Sequence, residues 1–391
     1  MSFFLFKKQP SLSFVFDIRD ASISLAVARF EKNKKPEIVL CQNFELKYQD
    51  SKDQKKYLSF MLKTLDDAIV SVKRGLIKIG NKENIGKYYF FIGSPWSVSQ
   101  TKTIKIIKEK LFEINNDVMS KILLGEESII EKKIEEQTKE PNWKILEEKI
   151  IQSKLNGYKV DDIFGKKTSN FTIELFVSFI PYEIKEKITS HIDEEKQKNS
   201  CILSSYSYLR DLYSDKNDFI YVDIGKLLTD VYVVRDDIIF GIASFPFGEE
   251  DIIKMSLSKT NLSKDVFLSY INIGQDNNFD LSSHNNGEDL LKTGIYFWEN
   301  QLKDSLSKIC TEMNIPNNLF IIANGVIPSI LIKELFKKSN QKFEIFGSKI
   351  DVLIIGENII NNYVLNGKFF ANEPYIKMDL IFLYKILKRK Q

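Results

Sequence analysis

Two histidines, His191 and His284, and three cysteines, Cys41, Cys201 and Cys310, are all that the 391 residues offer. No two of the five lie a few residues apart, which excludes a zinc site built from closely spaced Cys and His ligands. A Ser-His-Asp or Cys-His nucleophile would have to use one of the two histidines. Each stands in a strongly polar segment and reads as solvated surface. The scattered cysteines make no disulfide framework; they read as small core residues of a reducing compartment. An excess of one charge is missing too. Lys and Arg number 56 against 53 Asp and Glu, a net +3, without the concentrated basic face of a nucleic-acid binder. No run reaches the roughly 18 consecutive apolar residues of a membrane-spanning helix. The opening Met1-Ser-Phe-Phe-Leu-Phe-Lys-Lys8 places its apolar residues before its charges, the reverse of a secretory signal. A cytoplasmic protein is expected, one that still has the means to touch a membrane.

What is present is a globular balance of 43% hydrophobic and 28% charged residues. At roughly 150 residues per domain the length implies two to three domain-sized units. Ser13-Phe-Val-Phe-Asp-Ile18 is a run of β-formers ending in a carboxylate, and Ser22-Ile-Ser-Leu-Ala-Val-Ala28 follows after a polar break at Arg19-Asp20. The pair reads as a hairpin of buried strands. Glu37–Cys41 reads as a third strand, 57–78 as an amphipathic helix and Tyr88–Gly93 as another buried strand. From about 98 to 154 Lys and Glu are dense; with the strand at Phe171–Ile180 and a helix through Ile184 and Ile188, this block reads as a small α+β insertion. The lysines at 102, 105, 108 and 110 read as a solvated face.

Phe219-Ile-Tyr-Val-Asp-Ile-Gly225 then restates the opening theme, followed by Thr229–Val234 and Ile238–Ala243. A mostly helical stretch spans 249–310, polar in its middle. Asn318–Gly325 is a strand running into a glycine, with a helix expected from Pro328 to Phe336. A strand ending in Asp before a tight hairpin presents outward amides that cradle a phosphate, and a carboxylate placed to hold a metal-bound water beside it. The pieces here are Asp17-Ile-Arg-Asp20, Asp223-Ile-Gly-Lys226 and Asn324-Gly325.

In order and spacing these pieces resemble the actin-like ATPases, and within them the FtsA/PilM group of bacterial proteins. Leu155-Asn-Gly-Tyr158, Phe164-Gly-Lys-Lys167 and Phe171–Leu175 look like the subdomain those proteins insert, and Phe245-Pro-Phe-Gly248 like their segment after the second hairpin. The resemblance implies an α/β fold of two actin-like, ribonuclease-H-like domains around a nucleotide cleft. The expected division is 1–94 with 199–216 and a returning 366–391 as the first domain, 95–198 as the insertion, and 217–365 as the second domain with 249–310 as its helical part. It implies ATP and magnesium as cofactors, contacted by Asp17, Ser22, Asp223, Gly225, Thr229, Gly248, Asn324 and Gly325, with Asp17 and Asp223 toward the metal. The loops depart from the pattern. Arg19 stands where the group has glycine, Asp20 adds negative charge, and each of the three loops has lost a glycine. A side chain at a point of close approach obstructs a phosphate, and a further carboxylate repels it. ATP hydrolysis is therefore expected to be weak or absent, and no residue is assigned to orient water.

At the C-terminus Leu380, Leu383, Tyr384 and Leu387 fall at i, i+3, i+4 and i+7, beside Lys385, Lys388, Arg389 and Lys390. Two readings stand. Leu380, Leu383, Leu387, Lys388 and Arg389 form an amphipathic membrane contact of the kind FtsA carries, or the segment is a last helix packed on the first domain. The function implied is an actin-like scaffold at the inner membrane face that binds the cytoplasmic tail of a membrane protein in type IV pilus assembly, or a division-ring protein, with self-association as a further option. An active Mg-ATPase or sugar-kinase-like enzyme and a nucleotide-free structural protein are the alternatives.

Overall fold

The computed structural model describes residues 12–46, 53–138, 142–192, 194–197, 200–204, 218–236, 238–273, 287–310, 315–323, 344–345, 347–355, 360–369 and 373–389. The expected adenosine loop Asn324-Gly325, the helix 328–336 and the N-terminal Phe3–Phe6 lie outside them.

The first sheet has six strands in the order β17-β3-β2-β1-β4-β9. These are β1 (Leu12–Ile18), β2 (Ser22–Arg29), β3 (Glu37–Glu45), β4 (Ile85–Ile92), β9 (Cys201–Ser204) and β17 (Leu365–Phe369). β1 and β2 pair antiparallel from Leu12↔Arg29 to Ile18↔Ile23. The second sheet runs β12-β11-β10-β13-β16, with β10 (Phe219–Ile224), β11 (Thr229–Arg235), β12 (Ile238–Phe245), β13 (Asn318–Ala323) and β16 (Asp351–Ile354). The inserted sheet is β5-β8-β6-β7, from β5 (Val98–Glu113), β6 (Trp143–Leu155), β7 (Tyr158–Lys159) and β8 (Lys167–Pro181). A short hairpin of β14 (Glu344–Ile345) and β15 (Ser348–Lys349) completes the described strands.

The described helices are α1 (Gln54–Lys78), α2 (Asn116–Thr138), α3 (Tyr182–Ser190), α4 (Glu194–Gln197), α5 (Glu249–Leu257), α6 (Lys264–Ile273), α7 (Gly287–Ile309) and α8 (Pro374–Arg389). Asp53 caps α1 by accepting from the amides of Lys55 and Lys56. The helix buries Met61, Leu65, Ile69 and Val72 at the spacing the sequence shows.

Strand alternation assigns each residue a layer. In β1, Leu12, Phe14, Phe16 and Ile18 join the core beneath α1. Val15 faces the other way, into a core shared by both sheets. In β10, Ile220, Val222 and Ile224 pack under α5 and α7, while Phe219 and Tyr221 face the shared core. Asp17 has the phase of Val15, and Asp223 the phase of Tyr221. The period of two therefore aims both strand-end carboxylates into the layer between the sheets.

Helix α8 fills that layer. Tyr375, Ile376, Met378, Leu380, Ile381, Phe382 and Leu383 all belong to the shared core, and the Phe382 ring meets Phe91 edge-on at 6.1 Å. This corrects the membrane reading of the segment. Leu380 and Leu383 are 0% and 2% exposed, because the helix is apolar on nearly every side over this stretch and such a helix is an interior one. Leu387 is half-buried and Lys388 exposed; Arg389 ends the helix. Among the described residues no helix is long and apolar enough to cross a membrane.

Candidate functional site

The two hairpins face each other across a cleft. In the first, the Arg19 amide donates to the Ser22 carbonyl at 3.0 Å, leaving Asp20 and Ala21 as the loop; in the second, Gly225 donates to Leu228 at 2.9 Å, leaving Lys226 and Leu227. Arg19 thus corresponds to Gly225, and Asp20 to Lys226.

The guanidinium of Arg19 lies between the strand-end carboxylates. Its Nε donates to Asp17 Oδ2 at 2.7 Å, and its Nη1 donates to Asp223 Oδ2. The plane rests on the Tyr375 ring, with Cζ 3.4 Å from the centroid, and the Tyr375 hydroxyl donates to Asp223 Oδ1 at 2.7 Å. Trp96 Nε1 donates to the Arg19 carbonyl at 2.7 Å. All of this is buried, Asp17 and Asp223 to 2% exposure each.

Asp20 reaches the opposite hairpin. Its Oδ2 accepts from the amides of Leu227 at 2.6 Å and Leu228 at 3.2 Å, and its Oδ1 from the Ala21 amide at 2.9 Å. Gly225 is shaped to this contact, since a Cβ there would stand 2.7 Å from Asp20 Oδ2. Burial pushes the Asp20 carboxyl above its ordinary range and the two amides pull it back. Burial also raises Asp17 against the pull of Arg19. It raises Glu373, which shares hydrogen bonds with Asn43 and Ser24. Asp379, on the same helix as Tyr375, is raised further still by full burial and then by Asp17, with Arg19 opposing. Neither of its oxygens has a hydrogen-bond partner among the described residues.

The other expected contacts divide. Ser22 and Gly225 line the cavity of about 260 Å³ that remains in the cleft, with Glu45, Glu249, Glu373 and Lys226. Lys226 is turned to Glu45, 3.6 Å away at the surface. Thr229 does not face the cleft. It has the phase of Val231, so its hydroxyl points to the opposite core, donating to the Phe247 carbonyl at 2.8 Å and accepting from Trp298 Nε1 at 3.0 Å. Gly248 is a packing glycine: a Cβ there would meet the Lys226 carbonyl at 2.6 Å. The first amides of α5 are already used, Glu249 donating to the Gly225 carbonyl and Glu250 to that of Lys226, each at 3.0 Å. Trp96, Tyr375, Glu373 and Asp379 escaped the sequence reading. The signal that could have found the last three is a set of charged residues, Glu373, Lys377 and Asp379, among the apolar residues of 373–383; Trp96 carries no such signal.

A magnesium–nucleotide needs free carboxylate oxygens on one side and free amides on the other. Among the described residues, the metal and phosphate ends of the cleft do not fit it. Asp17 and Asp223, expected toward the metal, are bridged by Arg19, and the amides of the second hairpin hold Asp20. Among the described residues no cluster of three or more His, Cys, Asp or Glu is disposed to bind a metal ion.

No protein-family model matches the chain, and no curated protein matches it. Solved structures do. A chain of the PilM–PilN type IV pilus biogenesis complex aligns over 97% of this chain and 98% of its own, with a TM-score of 0.54 at 12% identity. A Bacteroides thetaiotaomicron protein of actin-like ATPase fold and unknown function aligns over 98% and 99%, with a TM-score of 0.44 at 11% identity. The pSK41 ParM protein aligns over 98% and 99%, with a TM-score of 0.42 at 9% identity. The chain is an α/β protein of the actin-like fold, with two mixed sheets about a cleft and a small α+β unit carried by the first. Within that fold it is similar to PilM over essentially its full length.

Proposed function

We propose that the chain is an actin-fold scaffold that works at the inner face of a membrane by holding the cytoplasmic tail of a membrane protein, in an assembly of the type IV pilus kind. The observation that carries this is the edge of the inserted sheet. β5 is its outermost strand, and residues 108–111 bulge out of register with β8. Ile107 and Leu111 are 67% and 69% exposed there. An exposed strand edge with apolar side chains is a template for an added strand, with backbone hydrogen bonds giving affinity and alternate side chains giving specificity. Lys105, Lys108 and Lys110 outnumber Glu109 and Glu113 on the same stretch and favour a peptide that carries acidic residues. The likeness to a chain of the PilM–PilN complex supports the pilus setting. The division-ring setting drew its support from a membrane-facing C-terminal helix, and Leu380 and Leu383 lie in the core instead. The ATP-dependent alternatives need a phosphate cradle and a metal site, which Asp20 and Arg19 take.

The test uses fluorescent peptides for the cytoplasmic tails of membrane proteins encoded beside this one, titrated with the full chain and read by anisotropy. One tail is expected to bind saturably. The exposed double substitution Ile107→Asp and Leu111→Asp is expected to weaken it at least about tenfold. Absence of binding by every tail, or equal binding by the double variant, sinks the reading.

A further inference from the structure

We propose that the cleft is filled from within: Arg19 takes the place of the metal ion and Asp20 the place of a phosphate, so that this internal pair ties the two halves together and the chain binds no magnesium–nucleotide. Three observations converge on it. The first is the cation. Two carboxylates that approach each other in a buried layer need a positive charge between them. Arg19 Nε meets Asp17 at 2.7 Å and Nη1 meets Asp223. A guanidinium is suited to this because it stays charged and presents its donors in a fixed fork. Tyr375 supports it from below and anchors Asp223 from the side.

The second observation is the anion. Successive amides turned to one point form a concavity that binds a negative oxygen. In the second hairpin those are the amides of Leu227 and Leu228, and the oxygen they hold is Asp20 Oδ2. Gly225 keeps the place open for that carboxylate, since a Cβ there would stand 2.7 Å from Asp20 Oδ2. The third is what surrounds them. The alternative anion site, the start of α5, has its first amides spent on Gly225 and Lys226. The remaining cavity of about 260 Å³ is lined by Asp17, Asp20, Glu45, Glu249 and Glu373 against Arg19 and Lys226, a lining richer in acid than in base that disfavours phosphate.

The pairing is reciprocal across the cleft. Arg19 and Asp20 belong to the first hairpin, and their partners Asp223, Leu227 and Leu228 to the second. A ligand that bridges such a cleft joins its halves only while it is bound. Here the joining groups, Arg19 and Asp20, are side chains of the chain itself. The link between the two hairpins therefore needs no bound ligand.

Two measurements on the full chain test this. Titration with a fluorescent ATP analogue in magnesium is expected to show no saturable binding up to millimolar ligand; saturable, magnesium-dependent binding overturns the proposal. Hydrogen exchange of the segment holding Leu227 and Leu228 is the second readout. In Asp20→Ala its amides are expected to exchange at least about tenfold faster, as befits the loss of a charge-assisted acceptor, whereas Asp20→Asn, which keeps an acceptor oxygen, falls between. Unchanged exchange in a folded Asp20→Ala overturns the proposal. The titration requires no variant and decides the matter should Asp20→Ala fail to fold.

Discussion

Asp20 Oδ2 and the backbone nitrogen of Leu227 lie 2.6 Å apart, although 207 positions separate the two residues. The contact joins the loop of one hairpin to the loop of its counterpart. The glycine beside it, Gly225, leaves no room for a Cβ.

Gly225→Ala is expected to destabilise the protein by about 1–3 kcal/mol, because the new Cβ would fall 2.7 Å from Asp20 Oδ2. Adding Asp20→Ala removes the nearest clashing atom and leaves the Leu228 carbonyl at 3.0 Å. The double variant should then lose less than the sum of the two single variants, by about 0.5–3 kcal/mol in a urea-denaturation cycle. Strict additivity would show that the two loops do not meet.

Tyr375→Phe keeps the ring under Arg19 and removes the hydroxyl that donates to Asp223 Oδ1. A buried carboxylate oxygen left without that donor costs about 1–3 kcal/mol. Chemical denaturation monitored by circular dichroism gives the number, and a change within about 0.5 kcal/mol would exclude a buried hydrogen bond at this site.

Asp379 sets a pH dependence. Its carboxyl is held well above the usual carboxylate range by burial, so the folded state binds the proton more tightly than the unfolded chain. Stability from this group is full below the unfolded value and declines as pH rises through the raised one. Asp379→Asn, neutral at every pH, should melt higher than the wild type at about pH 9, and the difference should shrink toward about pH 5. Melting curves across that range check both statements; a difference independent of pH would mean that Asp379 is charged throughout.

For the last helix the comparison is Leu380→Asp with Lys388→Glu. The first buries an unpartnered carboxylate at a site with 0% exposure and should cost more than about 4 kcal/mol, enough to remove most soluble folded protein. The second changes an exposed side chain and should stay within about 0.5 kcal/mol. If both fold equally well and differ only in vesicle binding, the helix lies on a membrane after all.

Much of the fold was legible because continuous runs of β-formers closed by turn residues are a strong signal. Ser13–Ile18 and Phe219–Ile224 read as buried strands, and the turn at Arg19-Asp20 punctuates the first; both faces of each are buried, so which core each residue joins is read from the structure alone. The two strand-end carboxylates were legible for the same reason. Their partners were not. Arg19 and Asp20 showed as departures from a glycine pattern, but no local feature says that one bridges two strands while the other crosses the cleft. Tyr375 is farther from reach, since it joins Asp223 from 152 residues away. Thr229 misled because a hydroxyl after a hairpin suits a phosphate, while the alternation that puts it with Val231 aims it at Trp298. Leu380 misled because its i, i+3, i+4, i+7 pattern describes one apolar stripe and ignores Ile376, Met378 and Phe382 on the others.

The pairing of β17 with β3 and the seating of α8 between the sheets bear on biosynthesis. The N-terminal sheet takes its edge strand from residues 365–369 and the cover over Val15, Ala26 and Phe91 from residues 374–383. Until residues 365–383 have been made, that sheet lacks its edge strand and its helical cover. Strands β1 to β4 are thus synthesised long before they can be completed, and in the interval they present an open edge and an apolar face of the kind that invites misassembly.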